Sequence, residues 1–67
     1  MRGVADVLNY RAYVLDKTGH VIKRHEFDSS GDEAALKYAR RYVDSRDVEV
    51  RQRERMVALL RSEKRGV

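Results

Sequence analysis

Two imidazoles, His20 and His25, are the side chains of this 67-residue chain best suited to proton transfer or metal ligation near neutral pH. Both fall in a segment that reads as β-strand, and their odd separation sends them to opposite faces of a sheet, where they cannot share a metal ion. His20 then reads as a polar residue beside a turn and His25 as a partly buried residue at a sheet edge. The hydroxyls of Ser29, Ser30, Ser45 and Ser62 have no base placed with them in any motif, so nucleophilic catalysis has no support. Asp28, Asp32 and Glu33 lack the alternating oxygen ligands and closing glutamate of a calcium loop and read as a solvated helix start. Gly19 and Gly31 stand alone, so no glycine-rich loop cradles a phosphate. With no cysteine there is no thiolate zinc site and no disulfide framework. The expectation is a protein that is not an enzyme, with no cofactor, no metal and no small-molecule ligand.

The elements that position these residues follow from local patterns. Residues 10–16 and 21–27 are rich in β-favouring types, and Asp16, Lys17, Thr18 and Gly19 between them form a turn signal. Asp at the first position and Gly at the fourth suit a type I turn closed by a glycine bulge, with positive φ at Gly19. If Leu15 faces His20, then Val14 faces Val21, Ala12 faces Lys23 and Tyr10 faces His25. Tyr10, Ala12 and Val14 then share one face, and Arg11, Tyr13, Leu15, His20, Ile22, Arg24 and Glu26 the other. Ser30 and Glu33 have the spacing of a capping box, which predicts a helix from about residue 31 ending around residues 44–47. Leu36, Ala39 and Val43, flanked by Ala35 and Tyr42, form its apolar stripe, and Leu36 is expected to be buried.

The last third supports two readings. Val48, Glu49, Val50 and Arg51 alternate as a strand does, and residues 56–60 are apolar, so a second hairpin turns through residues 52–55. Against this, residues 53–64 are largely good helix formers, and Met56, Leu59, Leu60 and Glu63 have helical spacing, so a C-terminal helix competes.

The segments YRAYVLD at 10–16, TGHVI at 18–22, DEAAL at 32–36, YVD at 42–44 and DVE at 47–49 resemble a group of short uncharacterised alphaproteobacterial proteins. Their pattern is roughly YxAYxLDxDGHI, DEEAL, a helix ending in LVD, then HDVELW and a turn. The resemblance spans residues 10–60. Those proteins usually carry Trp-Asp-Gly where this chain has Arg51, Gln52 and Arg53, which implies a turn between two strands, and this chain departs from them there. The group has no established activity, and no functional residue is carried over.

The expected architecture is α+β, ββαββ, a four-stranded antiparallel sheet with one helix packed on one face, the alternative being a C-terminal helix in place of the second hairpin. Residues 8–62 form the single domain, between a flexible N-terminus at 1–7 and a flexible basic C-terminus at 63–67. A chain this short buries only about 60% of the surface its unfolded form exposes, so its core is thin. The net charge is +4, and from Arg46 onward seven basic residues (Arg46, Arg51, Arg53, Arg55, Arg61, Lys64, Arg65) face four acidic ones (Asp47, Glu49, Glu54, Glu63). No apolar run approaches the roughly 20 residues of a membrane span, and the first ten residues lack a signal-peptide pattern, so a cytoplasmic protein with no membrane partner is expected.

One helix covers one face of the sheet, and the other face is the candidate interface: Arg11, Tyr13, Leu15, Ile22, Arg24, Val57 and Leu59. An open apolar face points to self-association as a homodimer or to protein binding. Arginine beside tyrosine on an open sheet is also how single-stranded nucleic acid is held, which makes a small basic nucleic-acid-binding protein the alternative. Self-association is favoured, because branched aliphatics seal protein interfaces but give bases little to stack on.

Overall fold

The computed structural model describes residues 7–62. Residues 1–6 and 63–67, most of the two ends expected to be flexible, lie outside the described residues. The order is β1 (Leu8–Leu15), β2 (Val21–Ser29), α1 (Asp32–Ala39), a 3-10 turn (Arg40–Tyr42), β3 (Val48–Gln52) and β4 (Arg55–Leu60). The four strands pair antiparallel in the order β2-β1-β3-β4, so the fold is the expected α+β ββαββ arrangement and residues 55–60 are strand, not helix. The hairpin prevails because β4 pairs Leu60 with Val48 and Ala58 with Val50, satisfying the backbone of β3 and burying Leu60.

The first turn forms as its residues dictate. The Asp16 carboxylate accepts from the Thr18 N–H at 2.9 Å, the Thr18 hydroxyl at 2.8 Å and the His20 N–H at 2.8 Å, while Gly19 takes φ +90°. The register differs from expectation. The Asp16 N–H donates to the His20 carbonyl, Leu15 faces Val21, and a bulge at Ile22 then sets Val14 against Lys23, Ala12 against His25 and Tyr10 against Phe27. Turn and bulge each move the pairing by one residue. Their sum leaves the face of every β1 residue as expected, because strand side chains alternate with period two. Val21 is displaced to the outer face opposite Leu15, the place expected for His20, and His20 falls outside the strand.

The inner face carries the core: Tyr10, Ala12, Val14, Phe27, Ala35, Ala39, Val48, Val50 and Leu60, with Leu36, Tyr38, Tyr42, Val43 and Val57 packed around it. The helix is shorter than expected, passing into 3-10 turn at Arg40 and into extended chain at Val43. Its buried stripe is Ala35 and Ala39, and Leu36 is only partly buried. The bulk of the core comes from fully buried Tyr10, Val48 and Val50 and from Phe27 and Tyr38, stacked at 4.4 Å, so the helix contributes small residues to it. The capping box does not form. Gly31 is the N-cap with no side-chain hydrogen bond, and Ser30 is exposed.

Candidate functional site

The outer face of the sheet is organised as rows across the strands. Arg24, Tyr13, Glu49 and Leu59 make one row, and Glu26, Arg11, Arg51 and Met56 the next. Val21 and Leu15 begin a third, which continues to Asp47 through the Leu15 N–H donating to the Asp47 carbonyl at 2.9 Å. Six of the seven candidate interface residues sit in these rows or at the Ile22 bulge beside them. Val57 does not. An extra residue in β4 between the Arg51–Met56 and Val50–Ala58 pairs turns Val57 to the core and leaves Met56 on the outer face in its place. No local signal in residues 55–60 announces that bulge.

Val21, Ile22 and Met56 are 53%, 51% and 50% exposed, and Leu59 is 39% exposed. Charges of both signs lie among them and pair within the sheet: Arg51 with Glu49 at 2.6 Å, Arg61 with Asp47 at 3.5 Å, and Arg11 with Glu26 at 3.8 Å. Arg11 and Arg51 stand opposite each other, an unfavourable like-charge pair that each relieves toward a glutamate. The Arg11 Nε is buried and has no hydrogen-bond partner among the described residues.

The opposite side of the molecule holds the aromatics. Tyr10 stacks on Phe27 at 5.8 Å, Tyr42 lies flat on His25 at 3.9 Å, and the Arg41 guanidinium sits 3.8 Å over the Tyr38 ring. Burial first, and then the neighbouring Tyr38 hydroxyl, push the Tyr42 hydroxyl above its ordinary pKa. At one end of the helix the Tyr10 hydroxyl donates to Asp32 at 2.8 Å, and Arg55 grips the same carboxylate at 2.9 and 3.0 Å. Desolvation, followed by the Asp32 hydrogen bond, raises the Tyr10 pKa. The three groups satisfy one another, so this is a clamp between helix, β1 and β4, closed by an exposed ion pair at its outer end.

The two histidines are not on one strand as expected: His20 precedes β2, and the extra residue at Ile22 breaks the alternation between it and His25. His20 is exposed at the turn, its Nδ1 2.6 Å from the Thr18 oxygen. That hydroxyl already donates to Asp16, so Nδ1 must carry the proton. His25 is partly buried on edge strand β2. Among the described residues, no three of His, Asp and Glu are grouped to hold a metal ion, and no helix is long and apolar enough to cross a membrane. The residue sequence reasoning missed is Ser62. Its buried hydroxyl donates to the Asp44 carbonyl, and its N–H donates to the Asp47 carboxylate at 2.8 Å, tying the end of β4 to the segment that leads into β3.

No family model, curated protein or solved structure matches the chain.

Proposed function

We propose that this chain is a non-enzymatic interaction module that self-associates through the outer face of its sheet, two copies packing face to face about a two-fold axis. The observation that carries the reading is the exposure of Val21, Ile22, Met56 and Leu59 on one open sheet face. The occupant is a second copy because the face is self-complementary in charge: Arg11, Arg24, Arg51 and Arg61 are interspersed with Glu26, Asp47 and Glu49 on the same surface.

Nucleic-acid binding is the weaker reading for a structural reason. Tyr13 is the one aromatic on the outer face, the other four rings being in contact with one another on the helix side, and a mixed-sign surface neutralises few phosphates. Sedimentation equilibrium at micromolar concentration tests the proposal. A mass near twice the 7.8 kDa protomer supports it. A 7.8 kDa species that binds single-stranded oligonucleotide, and loses that binding on Tyr13→Ala, replaces it with the nucleic-acid reading.

A further inference from the structure

The two free edges of the sheet are unlike. Because the Leu15 N–H bonds the Asp47 carbonyl, the hydrogen-bonded pairs of β1 and β3 are Tyr13 with Glu49 and Arg11 with Arg51. Antiparallel ladders alternate, so Val48 and Val50 turn their backbone groups to Leu60 and Ala58 of β4. The N–H and C=O of Leu59 therefore point away from the sheet, to the free edge. On the other edge the same alternation turns outward the backbone of Arg24, Glu26 and Asp28, charged residues of the kind that block strand addition. From Met56 to Leu60 edge strand β4 carries no charge, no proline and no glycine.

We infer that β4 is a second self-association site, at which a second copy adds its own β4 antiparallel across a two-fold axis centred on Leu59. That centre is the in-phase one. It sets Leu59 opposite Leu59 of the other copy on the outer face and Ala58 opposite Leu60 on the inner face, whereas a centre one residue earlier opposes residues from different faces. It also pairs the two outward-pointing Leu59 peptide groups. The Val57 bulge confines the in-phase ladder to Ala58–Leu60 of each copy, and no like charges face each other across that stretch. The edge contact is separate from the face contact, and the two together join face-paired dimers into a tetramer with continuous sheets.

Amide hydrogen exchange reads the proposal directly. The Ala58 and Leu60 amides bond β3 and are protected at every concentration, whereas the Leu59 amide slows by at least tenfold as protein concentration rises from micromolar to millimolar. Measured in Ile22→Glu, which removes the face contact, this slowing accompanies a monomer-to-dimer mass change. Measured in the wild type, it accompanies dimer-to-tetramer growth. Leu59→Pro removes only an unused N–H, so the variant folds but loses the edge association, while Leu59→Ala retains it. Free exchange at Leu59 at all concentrations, or edge association surviving Leu59→Pro, overturns the edge site. Loss of the face contact has its own signature, an unchanged mass on Ile22→Glu.

Discussion

Arg55 and Asp32, twenty-three residues apart, meet in a two-point ion pair at 2.9 and 3.0 Å that ties β4 to the first turn of the helix. The Arg55 guanidinium, followed by the Tyr10 hydroxyl, holds the Asp32 carboxyl well below the usual carboxylate range, at about 2. In the unfolded chain this group titrates near 3.8. Its folded pKa is the lower one, so its contribution to stability is present above about pH 4 and is lost as pH falls toward 2. Asp16, lowered chiefly by the His20 N–H, works in the same direction. Urea midpoints measured from pH 5 to 2 should therefore fall, and Asp32→Asn should flatten part of that fall without abolishing it. An unchanged slope in the variant means that the clamp does not exist in solution.

The core is thinnest where the helix meets the sheet. Ala39 is fully buried, so Ala39→Leu overpacks the contact and should cost about 1–3 kcal/mol. Leu36 lies at the margin, and Leu36→Ala should cost about 2 kcal/mol, the low end for a leucine. Thermal unfolding reads both costs, and a loss of about 4–5 kcal/mol on Leu36→Ala would place Leu36 at the centre of the stripe.

The two hairpin turns predict opposite signs for opposite substitutions. Gly19 has φ +90°, and a methyl group added there would meet nothing within 4 Å, so Gly19→Ala pays only for backbone conformation, about 1 kcal/mol. Arg53 holds φ 58° with a side chain, and Arg53→Gly should stabilise by about 0.5–1 kcal/mol. Stabilisation by Gly19→Ala, or loss on Arg53→Gly, contradicts the turn geometry.

Most of the fold was legible because its signals are local. The Asp16 to Gly19 turn and the alternation on both sides of it define the first hairpin and the faces of β1. What was not legible is set by tertiary contact. The bulges at Ile22 and Val57 answer to pairing with β1 and β3, not to their own residue types, and the second of them exchanges Val57 for Met56 on the outer face. Ser30 and Glu33 have the spacing of a cap, yet the helix begins one residue later, where Asp32 is held by Arg55 from a distant strand. Arg53 stands in the position a glycine would favour, which is why a helix through residues 53–64 competed on sequence alone.

Ser62 supplies a test of the closure at the end of β4. Ser62→Ala removes the hydrogen bond to the Asp44 carbonyl inside a buried site and should cost about 1 kcal/mol. Exchange of the Leu60 amide should quicken with it, because the end of β4 is tied down there. A neutral substitution shows that the strand end is held without the hydroxyl, by the ladder and the Ser62 N–H bond to Asp47.

Isotope-filtered NOE spectroscopy on an equal mixture of labelled and unlabelled protein reads whether a second copy covers the outer face. A face-to-face dimer gives intermolecular contacts from the side chains of Tyr13, Leu15 and Ile22, all of which vanish in Ile22→Glu while the intramolecular contacts of the Tyr10, Phe27 and Tyr38 rings persist. Intermolecular contacts confined to the helix side, or none from a 7.8 kDa monomer, would contradict it.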